Sequence, residues 1–275
     1  LTTKIIFEGD KNPGAVYTDL SDGLQYGPGK EYIPGTGVFS NDSNKFDGYS
    51  YTQGKNLYRG IDLGFGGWVY AQPGMYAHAK TFDVASMHPS SIIAMNVFGK
   101  YTDNFKQLLD IRLAIKRKQF ETISDLFGGK LKKYLQSTDS SKALSKALKI
   151  AINSVYGLTS ASFENAFRDI RNKNNIVALR GALFMKTLVD EVVKMGYEVI
   201  HVKTDSIKIA NPDEKIENFI LEFGTKYGYT FEVESEWDRL CLVNYAVFIG
   251  HHHNNDPESP NEWEAVGAQF KVPYV

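Results

Sequence analysis

The chain has 275 residues, 43% hydrophobic and 23% charged, with a formal net charge of −1. These are the proportions of a globular protein with room for one large domain or two ordinary ones. No apolar run is long enough to span a bilayer and no signal peptide opens the chain, so no membrane partner is expected; the single cysteine, Cys241, excludes an internal disulfide and fits a reduced, cytoplasmic setting.

Residues 1–60 are rich in Gly, Tyr, Asn and Asp and predict irregular structure with short strands. "GGWVYAQPGMYAHAKTFDVASMHPSSI" (66–92) predicts strand, Pro-Gly turn, strand and a Pro-interrupted helix start. From Asp103 to Phe120 the apolar positions Phe105, Leu108, Leu109 and Leu113 recur at helical spacing. Gly128-Gly129 breaks that region, and a second helix is predicted from about Ser140 to Val155. A third covers 174–195, closed by Gly196. "HVKTDSIKIA" (201–210) belongs to a hairpin whose strands, Val199–Val202 and Ile207–Ile209, reverse at Thr204-Asp205. A helix around 213–227, opened by "NPDE", and further strands complete the chain. The order implies an α+β fold, with helices segregated to one side of an antiparallel sheet. No internal repeat or low-complexity tract is present. The start at Leu1 and the end at "GAQFKVPYV" read as a piece of a larger assembly.

The near-zero net charge hides an asymmetry. Residues 100–149 carry 12 Lys/Arg against 5 Asp/Glu, whereas residues 211–266 carry 3 against 12. A basic segment in a neutral chain suggests a polyanion-binding surface, the bland reading being a solvated lysine-rich helix pair. Within it, Lys142, Lys146, Lys149, Asn153 and Tyr156 share one helical face, opposite Leu144, Leu148, Ala151, Ile152 and Val155. Such a stripe suits phosphates, a sugar and a base in order; an ordinary amphipathic helix with a wet face has the same pattern. Arg112 and Lys116, four apart, can reach one anion. Asp83 ends an apolar strand just before a Pro-started helix, where a carboxylate can hold a cation or merely cap the helix. Asp205 sits at a hairpin tip, also a plausible ion ligand, yet Lys203 stands two residues before it.

Taken together, these stretches form a pattern. Asp83-Val84-Ala85-Ser86-Met87-His88-Pro89-Ser90 resembles motif A of family B DNA polymerases, usually Asp-x-x-Ser-Leu-Tyr-Pro-Ser. Lys149-Ile150-Ala151-Ile152-Asn153-Ser154-Val155-Tyr156-Gly157 matches their motif B, Lys-x-x-x-Asn-Ser-x-Tyr-Gly, at every fixed position. Lys203-Thr204-Asp205-Ser206 resembles motif C, usually Asp-Thr-Asp-Ser. The order is right, and the wording looks most like the bacteriophage branch. The resemblance covers about residues 60–275. It implies a palm whose first part is 61–99, short helical fingers at 100–157, a second palm part at 158–275, no thumb, and an N-terminal segment 1–60 of uncertain role.

The resemblance further implies that Asp83 and Asp205 bind two Mg²⁺ ions (Mn²⁺ as substitute) with the carbonyl of Val84 as a further ligand. The chemistry agrees: one ion lowers the pKa of a primer 3′-hydroxyl, and the other clamps the β- and γ-phosphates. Arg112, Lys116 and Lys149 would grip the dNTP triphosphate. Asn153 and Tyr156 would line the sugar and nascent base pair, while Ser86, Met87, His88 and Thr204 would complete the nucleotide site. The implied activity is template-directed extension of primer-template DNA, in the host cytoplasm if the protein is viral. Thumb, exonuclease or processivity parts would be supplied separately, since no proofreading motif is present. Two rival readings are an inactive polymerase-like nucleic-acid-binding remnant and a ribonucleotide-using polymerase, the latter disfavoured by motif B.

Three departures stand out. His88 replaces a tyrosine that packs under deoxyribose and excludes a 2′-hydroxyl. The Lys-x-Tyr element that holds primer is not recognisable in "LVNYAVF" (242–248). Lys203 replaces the less essential motif C aspartate. An ammonium roughly 5 Å from a divalent ion, at an effective dielectric of about 20, is repelled by about 6–7 kcal/mol. Its side chain is therefore expected to turn toward a primer phosphate or a carboxylate. Of the weaker features, "HHHNND" (251–256) reads as a polar hairpin loop rather than a metal site, and Glu234 and Glu236 as solvent-exposed rather than accessory carboxylates. Arg168, Arg171 and Arg180 read equally as phosphate contacts or salt bridges.

Overall fold

A computed structural model describes residues 67–94, 102–159, 161, 176–257 and 259–271, together with short strands between 17 and 62. Those short strands are β1 (Tyr17–Asp19), β2 (Leu24–Tyr26), β3 (Tyr32–Ile33), β4 (Val38–Phe39), β5 (Tyr49–Thr52), β6 (Lys55–Tyr58) and β7 (Ile61–Asp62), with β3–β4 and β5–β6–β7 forming antiparallel ribbons. The chain divides into two compact units. One comprises Leu1–Tyr17, Gln25–Ser40 and His88–Asn174; the other comprises Thr18–Leu24, Asn41–Met87 and Asn175–Val275.

The second unit is built on an eight-stranded antiparallel sheet. Its strands are β8 (Val69–Ala71), β9 (Gly74–Tyr76), β10 (Ala79–Val84), β11 (Val199–Lys203), β12 (Ser206–Ala210), β13 (Phe231–Asn244), β14 (Val247–His252) and β15 (Trp263–Val266). They run β15-β14-β13-β10-β12-β11-β8, with β9 also on β13. The Pro73-Gly74 turn therefore does not make a hairpin: β8 pairs with β11 and β9 with β13.

Strand alternation sorts the residues of β10. Lys80, Phe82 and Val84 face the helices, and Lys80 donates to Glu217 at 2.7 Å. Thr81 and Asp83 face the other side. Helix α4 (Ile176–Lys194) is apolar almost all round and packs on β11, while α5 (Glu214–Lys226) packs on β13 and α4. The side chain of Asp213 caps α5 by accepting from Ile216 N at 3.0 Å, as the "NPDE" signal predicts. Gly196, at φ 92°, follows the end of α4 in the left-handed conformation that ends many helices. The fold is α+β, an antiparallel sheet packed by helices.

The first unit carries α2 (Thr102–Lys116) and α3 (Thr138–Thr159), after α1 (Met87–Ala94), which begins at the junction of the two units. Helix α2 ends four residues before the predicted Phe120. Lys118 turns to φ 57°, Gln119 N bonds to Ala114 O at 2.8 Å and Lys118 N to Ile115 O at 3.1 Å, a Schellman closure. Ile111, Ala114, Ile115 and Ile123 form a core against Leu144 and Leu148 of α3. Ala151, expected on the buried side, is exposed; Ile152 is buried. Among the described residues no helix is long and apolar enough to cross a membrane.

Gly250 of β14 lies flat against the Trp237 ring, and a Cβ there would stand 2.4 Å from Cε3. Gly250→Ala should lower unfolding stability by about 1–3 kcal/mol through overpacking, read as a shift in the urea midpoint.

Candidate active site

Asp83 is the penultimate residue of β10, in the middle of the sheet. It is in register with Ser206 of β12 on one side and Glu232 of β13 on the other. Ser206 in turn opposes Lys203 of β11. Directly opposed residues share a face, so Glu232, Asp83, Ser206 and Lys203 form one polar row across four strands, on the face away from the helices.

The hairpin tip closes onto this row. Val84 N donates to Asp205 O at 2.8 Å, joining the two predicted ion-binding segments through the backbone. The β11–β12 turn has Thr204 at φ 58°, a position where a β-branched residue is strained. That strain is held in place from two sides. Thr204 N donates to Trp68 O at 3.0 Å, and Gly67, at φ 138°, is so close that a Cβ would meet Thr204 Cγ2 at 2.8 Å. Asp205 N donates to Lys203 O at 2.7 Å. Ser86, at φ 63°, makes the sharp strand-to-helix turn before α1, and Ala85 N is held by Thr230 O at 2.8 Å.

Burial raises the pKa of Asp205, its own backbone amide opposing the shift only partly. Among the described residues no cation lies within ion-pair distance of it. A carboxylate desolvated in this way is relieved by a proton or by a bound cation. No cluster of three or more His, Cys, Asp or Glu groups gathers among the described residues. An ion here would be held by the two carboxylates, completed by the Val84 carbonyl, water or ligand oxygens. That hard, oxygen-only and partly hydrated set fits Mg²⁺.

Lys203 is exposed on the Asp83 face, with no carboxylate in ion-pair range among the described residues. The carboxylate half of its expected pairing is therefore not met. Met87 is buried, its sulfur packed against Gly181 of α4.

In the helical unit, Lys142, Lys146, Lys149 and Asn153 are all exposed along α3, as the stripe predicts. Tyr156 is half-buried and stacks on His88 with ring centroids 4.2 Å apart and planes 29° apart. Burial lowers the pKa of His88, so the stack is between neutral rings. Sequence spacing raised these two rings separately. Arg112 is partly buried and Lys116 exposed, one turn apart on α2.

Several minor expectations change. Glu236 is not solvent-exposed: it is largely buried, 3.8 Å from Lys80, 3.3 Å from His78 and 3.8 Å from His253. A β-bulge places Val233 opposite Phe82 and Ser235 opposite Thr81, so Glu234 is the extra residue and Glu232, which spacing did not suggest, is the one beside Asp83. His251 and His252 are strand residues rather than loop. His252 is buried on the Trp237 ring and pairs with Asp256 at 2.8 Å. Arg180 is neither phosphate contact nor salt bridge among the described residues. It is 2% exposed, lies over the Tyr229 ring and donates to Tyr227 O at 2.8 Å. Arg168 and Arg171 lie outside the described residues.

No family model matches this chain, and no curated protein matches it. Among solved structures it is similar to the family B DNA polymerase from the hyperthermophilic archaeon Pyrobaculum calidifontis, with 16% identity and a TM-score of 0.49. The match covers 72% of this chain and 28% of that one, so the chain spans under a third of the polymerase's length.

Because burial makes the Asp205 charge costly, its folded pKa lies above its unfolded one. The cost is present at neutral pH and fades as pH falls toward the folded pKa. Asp205→Asn should therefore raise the thermal midpoint at neutral pH without added metal, and the gain should shrink in acid. An unchanged or lowered midpoint at neutral pH would mean that the carboxylate is compensated.

Proposed function

We propose that this chain is the palm and fingers portion of a DNA-directed DNA polymerase, adding dNTPs to a primer 3′-hydroxyl with two Mg²⁺ ions. The observation that carries the reading is the 2.8 Å backbone bond from Val84 N to Asp205 O, which ties the end of the Asp83 strand to the desolvated Asp205 tip. Two segments far apart in sequence, each in a recognisable motif, are joined there by backbone hydrogen bonding, which supports the reading. The motif wording supports the bacteriophage branch, and an N-terminal segment, a first palm part, fingers and a second palm part as the division of the chain.

Bound Mg²⁺ would supply a lowered pKa at the primer hydroxyl and neutralisation of the leaving pyrophosphate. The chain's own residues bind and orient. Asp83, Asp205 and the Val84 carbonyl would hold the ions. Arg112, Lys116 and Lys149 take the triphosphate as donors and cations. Ser86 and His88, half-buried at the strand-to-helix turn, would face the nucleotide, and Met87, buried between strand and α4, would fix that turn. Tyr156 and His88 present a stacked pair of neutral rings to sugar and base, and Asn153 supplies an amide beside them. Lys203, without a carboxylate partner, is free to meet a primer phosphate, and Thr204 sets the hairpin tip.

Asp83→Asn should lower primer extension by more than about a hundredfold, with DNA affinity changed only a few-fold because phosphate contacts dominate it. Near-normal extension by this variant would sink the two-ion reading. An inactive remnant predicts instead no extension by the wild-type chain and no Mg²⁺ binding by calorimetry.

Lys203→Asp probes the substituted motif C. If Lys203 meets primer phosphate, primer affinity should fall and its salt dependence flatten by about one ion's worth. A large gain in extension over a wild type near background would instead identify Lys203 as a lesion.

A further inference from the structure

Behind the Asp83 row, on the same side of the sheet, lies a cavity of about 400 Å³, within the range of small-molecule pockets. Lys208 of β12 forms part of its lining, two residues along from Ser206 and opposite Thr81. Its ammonium has three donors and no acceptor. One hydrogen bond goes to Thr81 Oγ1 at 3.1 Å, and that hydroxyl also accepts from Trp237 Nε1 at 3.0 Å. Among the described residues no carboxylate reaches Lys208 at ion-pair distance. Glu234 and Glu264, also in the lining, act on it only at longer range. Burial lowers the lysine's pKa to about 8, leaving it mostly protonated and a donor at neutral pH.

The remaining walls combine the rings of Trp237, Phe248, His252 and Trp263 with Ser235, Ser259 and a third carboxylate, Glu262. Lys208 Nζ lies 5.1 Å from the Phe248 ring centre and 5.7 Å from that of Trp237. Trp263, at the rim, is 65% exposed. His252 Nε2 stands 3.4 Å from Glu264 Oε2. An occupant must therefore offer acceptors to a buried ammonium, donors to carboxylates, and a flat body to aromatic rings.

We propose that this cavity binds a guanine base, with O6 and N7 toward Lys208, N1–H and the 2-amino group toward Glu234 and Glu264, and the ring against Trp263. Guanine carries those two edges: lysine pairs with O6 and N7, and carboxylates accept from base N–H groups. Adenine would set its 6-amino donor against the ammonium. A flat π face stacks on an exposed indole regardless of sequence context. The glutamates repel phosphate, so the nucleoside should fit better than its monophosphate. The cavity is read by binding alone and does not depend on the polymerase reading.

The test is titration of the whole 275-residue chain with guanosine, inosine, adenosine and guanosine 5′-monophosphate, followed by tryptophan fluorescence and calorimetry. Guanosine should bind saturably. Inosine, which lacks the 2-amino group, should bind about tenfold more weakly, and adenosine more weakly still. The monophosphate should bind less tightly than the nucleoside. Glu234→Gln/Glu264→Gln, both on exposed side chains, should weaken guanosine by a similar factor, and Lys208→Met should abolish binding. Should Lys208→Met fail to fold, the double glutamine variant and the nucleoside series decide alone. Absence of saturable guanosine binding, equal affinity for adenosine, or unchanged affinity in the double variant would overturn the proposal.

Discussion

The hydrogen-bonded register of β10 between β12 and β13 is the constraint on which the rest of the second unit depends. It sets Asp83 against Ser206 and Glu232, and it lets Val84 N close on Asp205 O. A slip of one residue would carry Asp83 to the helix side and Phe82 to the open side. Two devices resist such a slip. Phe82 and Val84 are fully buried on the helix side, and Thr81 is clasped on the other by Lys208 and Trp237. The apolar positions of the strand thus hold a carboxylate that would be costly to hold by itself.

Electrostatics divides the open face into zones. Glu232 and Asp83 are acidic neighbours, Ser206 is neutral, and Lys203 ends the row with an exposed ammonium. Asp205, desolvated at the tip, adds a carboxyl group with no described cation at ion-pair distance. One strand step behind, the buried Lys208 balances Asp83, Glu234 and Glu264 at long range without pairing with any described carboxylate.

In the helical unit the same logic runs through aromatic rings. Helix α3 keeps its lysines and Asn153 in solvent, while Leu144 and Leu148 supply the packing. Only toward its end does the polar stripe turn inward, where Tyr156 meets the desolvated His88. The stack keeps the His88 ring out of water, which disfavours its charged form.

The sequence by itself determined the elements and named the candidate positions. Periodicity located the helices, the Thr204-Asp205 reversal located the hairpin, and the three motifs named Asp83, Lys149, Asn153, Tyr156 and Asp205, because these signals are local and their periods survive in one dimension. What it could not contain was which strand lies beside which. The pairing of β8 with β11 and of β9 with β13, the burial of Glu236 and His252, and the placing of Glu232 beside Asp83 through a bulge at Glu234 all depend on register between distant segments. Lys208 shows the reason most directly. Its alternation with Ile207 and Ile209 assigns it to the open face, but only the sheet's arrival of Trp237, Phe248 and Glu264 around it makes that face a cavity. Long-range neighbours set a side chain's solvation, and solvation, more than identity, decides what the side chain can do.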